Sequence, residues 1–265
     1  MRETLTIIKI GGNVIDNDTF LSSFLERFAN IDSSKILIHG GGKLATKISD
    51  QLGIKTTIVE GRRVTDEQTI QIVTMTYAGW INKKIVAQLQ ANKCNAIGLS
   101  GADARLIPAI KRPAKTVDYG WVGNIISEKI NTSFIVSLLQ QNLVPVFAPI
   151  TCNENGNLLN VNADTIAQSL AESLAASYNV QLIYCFELDG VLRNVHDKES
   201  VINTINISEV AQYKENGIIS AGMIPKIDNA VTAINKGVQQ VVIGNATHIV
   251  QLAAQKESYG TRIIK

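Results

Sequence analysis

Short apolar runs alternate along the chain with longer stretches in which apolar residues return every three or four positions. The first run, Thr6-Ile7-Ile8-Lys9-Ile10, stops at Gly11-Gly12, and Phe20, Leu21, Phe24, Leu25 and Phe28 follow at helical spacing. A second run, Lys35-Ile36-Leu37-Ile38, ends in His39-Gly40-Gly41-Gly42, and a helical pattern runs from Lys43 through Leu52. Short, β-branched runs closed by glycine suit buried parallel strands. Further strands are predicted at Ala96–Ser100, Val144–Ile150, Val180–Phe186, Gln239–Ile243 and Thr261–Ile264. Asp66 is a predicted N-cap for a long helix reaching Gln90. Other helices are predicted over Thr132–Gln141, from Asp164 to Ser177, over Ser208–Asn216, and onward from Met223-Ile224-Pro225-Lys226, after a Gly217–Gly222 loop. Hairpins are predicted around Gly61-Arg62-Arg63 and at Asn155-Gly156-Asn157. Arg105–Val117 reads as an exposed basic excursion, with Tyr119–Ile125 as its returning strand. This β-α alternation predicts an α/β fold with a mostly parallel central sheet and helices on both faces. Ligands then belong beyond the carboxyl ends of the strands, at the glycine turns.

Composition narrows the classes. The 265 residues are 45% hydrophobic and 18% charged, enough to bury a sizeable core in one large domain or in two lobes sharing a sheet. Lys+Arg 25 against Asp+Glu 23 leaves a net charge of +2, which calls for neither nucleic acid nor a membrane surface. Cys94, Cys152 and Cys185 make no CxxC and no zinc spacing, and an odd, scattered set suits a reducing compartment. No apolar run reaches the roughly 18 residues of a membrane span, and no leader pattern precedes the first strand. A cytoplasmic protein is expected.

Several polar residues sit where burial is costly. Lys9 interrupts an apolar strand just before a turn, a position better tolerated if an anion meets it; the alternative is an edge lysine. Gly11-Gly12 and Gly40-Gly41-Gly42 let an anion approach backbone N–H groups. Asn160, Asn162 and Asp164 are spaced by two and would share one face of an extended segment; Asp164 alone could be a helix cap. Arg63 could offer a fork to a carboxylate. Lys226 at a helix N-terminus runs against the helix dipole and would be better tolerated beside an anion. Gly40-Gly41-Gly42-Lys43-Leu44-Ala45, with Glu60 following, also matches a dinucleotide fingerprint, although it follows the second strand and leaves Lys9, Lys226 and the Asn160–Asp164 cluster without a role. GxxxxGK[ST], HExxH and G-x-S-x-G are absent, and His39, His196 and His248 form no metal set. Phosphoryl transfer uses more of these residues: two lysines to flank the moving group, one acid to hold them, and two glycine turns for two reactants.

Five segments carry a resemblance over nearly the whole chain: Lys9-Ile10-Gly11-Gly12, His39-Gly40-Gly41-Gly42, Gly61-Arg62-Arg63-Val64-Thr65, Asn160-Val161-Asn162-Ala163-Asp164 and Gly222-Met223-Ile224-Pro225-Lys226. In this order they resemble the amino acid kinases. The resemblance implies an αβα sandwich, with residues 1–178 forming an N-terminal lobe for an N-acylated glutamate and for dimerisation, and 179–265 a C-terminal lobe for ATP with Mg2+. The substrate γ-carboxylate would attack the γ-phosphoryl of ATP and give an acyl phosphate, a step of arginine biosynthesis; a carboxylate ionised at neutral pH needs no general base. Lys9 and Lys226 match the lysines that stabilise the transition state, and Asp164 the organising acid. Gly41, Gly42, Arg63 and Asn160 match substrate contacts, Arg63 on the α-carboxylate, and Asn162 joins them. Gly11 and Gly12 match the phosphate-side turn. Glu187-Leu188-Asp189-Gly190 stands in the place of the family's nucleotide segment without keeping its Thr/Ser-Asp-Val-x-Gly pattern. No protein metal site is implied. The expected substrate is N-acetyl-L-glutamate, with N-succinyl-L-glutamate as the alternative, because an extra carboxylate could use a spare cation nearby. An NAD-dependent oxidoreductase, on the glycine fingerprint, and a non-catalytic small-molecule sensor stay open. Arginine-inhibited members carry an extra N-terminal helix that joins dimers into a hexameric ring. Here the first strand begins almost at once, so an arginine-insensitive homodimer is expected.

Overall fold

The computed structural model describes residues 2–194, 196–219 and 223–265. Ser220, Ala221 and Gly222, which end the predicted Gly217–Gly222 loop and open the last of the five segments, lie outside the described residues.

The chain enters with Thr4–Ile10 (β1), turns at Gly11 into the short helix Gly12–Ile15 (α1), and restarts as Asp18–Ala29 (α2), capped by the Asn17 side chain. Ser34–His39 (β2) passes through the glycine turn into Gly42–Gln51 (α3). The hairpin of Ile58–Val59 (β3) and Arg62–Arg63 (β4) leads to the long helix, whose cap is Asp66 as predicted: its carboxylate accepts from the Thr69 amide at 2.7 Å. That helix is not uniform. It runs as Glu67–Val73 (α4), widens into a π-helical segment over Thr74–Ile81 and resumes as Asn82–Ala91 (α5). Ala96–Ser100 (β5) follows, and the basic excursion returns as a hairpin of Ala109–Lys111 (β6) and Gly123–Ile125 (β7). Thr132–Gln140 (α6) precedes Val144–Ala148 (β8). Ile150–Cys152 (β9) and Leu158–Asn160 (β10) form the second predicted hairpin, turned at Gly156 with φ +80°. The chain finishes with Ala163–Leu174 (α7), Asn179–Phe186 (β11), Thr204–Asn206 (β12), Val210–Glu215 (α8), Ile224–Asn235 (α9), Gln240–Asn245 (β13), Ile249–Ala253 (α10) and Thr261–Ile264 (β14).

Eight strands form one sheet in the order β12-β14-β13-β11-β1-β2-β8-β5, parallel except between β13 and β14. β1 is central: Lys9 is in register with Ile38 on one side and Tyr184 on the other, so the edge-lysine alternative falls. Successive side chains of a strand point to opposite faces, and both faces here are apolar. Leu5, Ile7, Ile36 and Ile38 pack on one face against Leu170 and Leu174 of α7 and Ile227 and Ala230 of α9. Ile8, Ile10 and Leu37 pack on the other against Phe24 and Phe28 of α2 and Ile85 and Leu89 of α5. Each fully buried Ile, Leu or Phe contributes roughly 1.5–3 kcal/mol, and helices must cover both faces to collect it. The αβα layering follows. The sheet passes without a break from residues 1–178 into 179–265, because β11 is hydrogen-bonded directly to β1.

Candidate active site

Lys9 lies at the carboxyl end of β1, and its Nζ is 2.7 Å from Asp164 Oδ1. Lys226, in the first turn of α9, brings its Nζ to 3.7 Å from Oδ2 of the same carboxylate and rests 4.0 Å above the centre of the Phe186 ring. One acid thus faces two cations, and a positive charge is left over. Burial pushes the Asp164 carboxyl up, but Lys9 and Lys226 together outweigh it and hold the group below the usual carboxylate range. Burial lowers the Lys226 ammonium; Asp164 raises it again in part, and Lys9 opposes that gain. Asp164 Oδ1 has no partner of hydrogen-bond geometry, so its contact with Lys9 is charge pairing at short range.

Two cavities meet at this cluster. The first, of about 250 Å³, is lined by Lys9, both glycine turns, Arg62, Arg63, Tyr77, Asn160, Asn162 and Asp164. The second, of about 310 Å³, shares Lys9, Gly11 and Gly12 and adds Phe186, Glu187, Leu188 and Lys226. The Gly11-Gly12 turn is therefore the wall between them.

Arg63 is held from three sides. It donates from Nη2 to Gly42 O at 2.9 Å and to Thr46 Oγ1 at 2.7 Å, and from Nη1 to Thr56 Oγ1 at 3.0 Å. A buried guanidinium tied by neutral acceptors alone keeps its full charge for a ligand. The Thr65 hydroxyl donates to Arg63 O at 2.9 Å and accepts from Asn160 Nδ2 at 3.0 Å, so the hairpin and β10 are pinned together. The three glycines of the second turn differ in what they owe the protein. Gly41 has φ +156°, and a Cβ there would clash with Ile81 and lie 2.8 Å from Tyr77 Cδ1. A Cβ on Gly40 would meet nothing within 4 Å, and one on Gly42 only Arg63 Nη2 at 4.0 Å. Packing does not require glycine at 40 or 42, and without side chains there the backbone of the turn stays open to the first cavity. Gly40→Ala should accordingly keep the wild-type melting temperature while raising the KM of a substrate held in the first cavity, whereas Gly41→Ala should lower the melting temperature by several degrees, in line with about 1–3 kcal/mol for overpacking and strain. Thermal denaturation beside initial rates checks the pair; a Gly40→Ala enzyme with unchanged KM would contradict it.

Asn160, Asn162 and Asp164 do not lie on one extended segment. The strand ends at Asn160, Asn162 is the N-cap of α7, its Oδ1 accepting from the Asp164 amide at 2.7 Å, and Asp164 is already in the helix. The capping role therefore belongs to Asn162, and Asp164 keeps both oxygens for the lysines. All three still border the first cavity, because the strand-to-helix turn bends around it. Of the four predicted nucleotide residues, Glu187 and Leu188 line the second cavity. Asp189 lines a further cavity with His248 and Tyr259. Gly190 is buried, and a Cβ on it would lie 2.6 Å from Thr261 Oγ1, so packing alone accounts for that glycine. The dinucleotide fingerprint loses its acid: Glu60 sits in the β3–β4 turn with φ +49°, not at the end of a sheet strand, where a ribose partner belongs. Sequence reasoning missed Tyr77 and Arg62 as cavity residues. Arg62 had a signal in the Gly61-Arg62-Arg63 segment. Tyr77 had none, since only the π-helical segment turns it toward the cavity.

A mostly parallel sheet with two glycine turns opening on adjoining cavities is the layout of a defined family: residues 4–245 match the model of the amino acid kinase family, and the chain belongs to it. It is 51% identical over 263 residues to the acetylglutamate kinase of Cytophaga hutchinsonii, covering 99% of each chain. It is 49% identical over 265 residues to that of Bacteroides thetaiotaomicron, covering 100% of each. Among solved structures, the carbamate kinase of Giardia lamblia bound to AMP-PNP superposes with a TM-score of 0.73 at 16% identity, covering 100% of this chain and 99% of that one, a likeness of fold.

Proposed function

We propose that this enzyme transfers the γ-phosphoryl group of ATP to the γ-carboxylate of N-acetyl-L-glutamate, giving N-acetyl-L-glutamyl 5-phosphate as a step of arginine biosynthesis. The name borne by relatives about half identical over the full length supports the acetyl substrate over the succinyl alternative. The observation that carries the reaction is the Lys9–Asp164–Lys226 cluster at the junction of two cavities.

In this reading the first cavity takes the acylglutamate. Arg63 meets the α-carboxylate, Asn160 and Asn162 supply polar contacts, and the amides of the Gly40–Gly42 turn face the group being phosphorylated. The second cavity takes the triphosphate, with the Gly11 and Gly12 amides on its phosphates and Glu187 and Leu188 toward the nucleoside, Asp189 lining the further cavity and Gly190 packed beneath. Residues 1–178 and 179–265 are then the two substrate lobes. The ionised γ-carboxylate attacks phosphorus in line; a carboxylate O–P bond forms, the bond to the bridging oxygen breaks, and its electron pair leaves on ADP. Lys9, which borders both cavities, faces the transferring oxygens, and Lys226 the leaving side. Such preorganised charge is worth about 10²–10³-fold in kcat per group. Asp164 orients both ammonium groups and, held below its usual range, takes no proton. Mg2+ would arrive on the phosphates of ATP and retain several of its waters. The protein is proposed to act in the cytoplasm as a homodimer; no helix among the described residues is long and apolar enough to cross a membrane, and exposed Met75 and Trp80 on the π-helical segment offer apolar area to a second copy.

The test is coupled ADP release with MgATP and either N-acetyl- or N-succinyl-L-glutamate, trapping the acyl phosphate as its hydroxamate. Turnover with the acetyl substrate is the expected result. Turnover with the succinyl substrate alone would keep the reaction and change the acyl group; turnover with neither, in folded protein that binds ATP, would overturn the reading.

A further inference from the structure

We propose that His39 is a positioning residue that sets the direction of the Gly40–Gly42 turn through the Gly40 carbonyl; the inference rests on the acyl-substrate reading of the first cavity. His39 closes β2 and is fully buried, although neither substrate cavity reaches it. Its two ring nitrogens are both engaged: Nδ1 lies 2.8 Å from Gly40 O and Nε2 lies 3.1 Å from Asn82 Nδ2. The tautomer follows from the neighbours. Asn82 Nδ2 also donates to Val146 O at 2.9 Å, and Asn82 Oδ1 accepts from Lys83 Nζ at 3.3 Å, so the amide is fixed with its nitrogen toward the ring. Nε2 must then accept, and Nδ1–H donates to Gly40 O. The ring is neutral: burial lowers its pKa to about 4, with the Gly40 bond opposing.

A buried imidazole and amide in an apolar setting are costly unless every group is satisfied, and here the surrounding structure is arranged to satisfy them. β5 gives up a side chain at Gly98, where a Cβ would collide with Asn82 Oδ1 and lie 2.7 Å from Lys83 Nζ. Asn82 stands at the first position after the π-helical segment, and that segment also places Tyr77 and Ile81 under Gly41. The irregular stretch and the residue after it thus hold the turn twice, Tyr77 and Ile81 by packing under Gly41, and Asn82 indirectly, through the His39 ring whose Nδ1 reaches Gly40 O. Gly40 has no side chain to orient it and no packing neighbour at its Cβ position. Among the described residues the bond from His39 is the side-chain hydrogen bond made to its carbonyl, and the planar peptide carries the next amide with it. Gly41, which carries that amide, lines the first cavity together with Gly40 and Gly42.

The experiment compares wild type, His39→Leu and His39→Asn in steady-state kinetics, with calorimetric binding of N-acetyl-L-glutamate as a readout independent of turnover. Wild-type turnover is established first, so that failure of the reaction itself is seen separately. His39→Leu should raise KM and Kd for the acyl substrate by about tenfold or more, as expected for a lost buried hydrogen bond, with the KM for ATP unchanged. His39→Asn, whose amide can donate to Gly40 O, should recover most of the loss. If His39→Leu does not fold, Asn82→Ala, which removes the donor to Nε2 and leaves the ring, must show the same split. Equal changes in both KM values, no change in either, or no rescue by Asn would overturn the proposal.

Discussion

Replacing Lys9 with Met is expected to lower kcat by about 10²–10³-fold, the largest single loss in the protein. Lys9 borders both cavities, and its ammonium is 2.7 Å from the acid that holds it. Its charge is therefore at the junction of the two cavities, where the proposed reaction brings the reactants together. Methionine keeps the length and the apolar stem, so β1 and both cores are preserved. The loss should fall on kcat, because the charge matters most where negative charge accumulates, on the transferring oxygens. Lys9→Arg should recover little, since a planar, delocalised fork does not present its charge at one point as a compact ammonium does. Initial-rate kinetics with the hydroxamate trap decide it: a Lys9→Met enzyme within tenfold of wild-type kcat would remove Lys9 from the reaction.

Asp164→Asn is expected to cost about 10²-fold or more in kcat and to move the alkaline limb of the kcat–pH profile to lower pH. Burial already lowers the Lys226 ammonium, and Asp164 supplies what raises it again. Without the carboxylate, burial and the repulsion from Lys9 act unopposed, so Lys226 loses its proton at lower pH. Stability should fall by about 1–3 kcal/mol, less than for a fully buried pair because the carboxylate is still partly reached by water. The pH profile separates a role in holding charge from a role as a mere helix-start residue, because the cap of α7 is Asn162 and remains intact. An unchanged alkaline limb with reduced kcat would contradict the charge argument.

Much of the fold was legible before the structure. β1, β2, β5, β11, β13 and β14 lie where apolar runs end in glycine or polar turns, and the hairpins stand at their predicted turns. These signals are local: β-branched runs, caps and turn residues act over a few positions. The long helix was legible as an element but not in its interior. A π-helical segment packs against α3 and the glycine turn, and its mostly apolar residues, Thr74 to Ile81, carry no local signal for the wider turn. Tyr77 and Asn82 were therefore invisible as neighbours of the Gly40–Gly42 turn. The Asn160–Asp164 spacing pointed to residues that border the first cavity, for an incomplete reason, since a cap and a helical turn, not an extended strand, place them there.

By itself the sequence determined the parallel α/β plan, the two glycine turns, and the residue types that meet phosphate and carboxylate, because each rests on period, backbone permissiveness or the cost of burying a charge. Only the tertiary structure decided which of these face one another. Lys9 and Lys226 are 217 residues apart in the chain and share one carboxylate because β1 and β11 are neighbours in the sheet while α7 and α9 pack on the same face. Charge pairing over a few ångströms is a property of three-dimensional distance, and no local pattern along the chain records it.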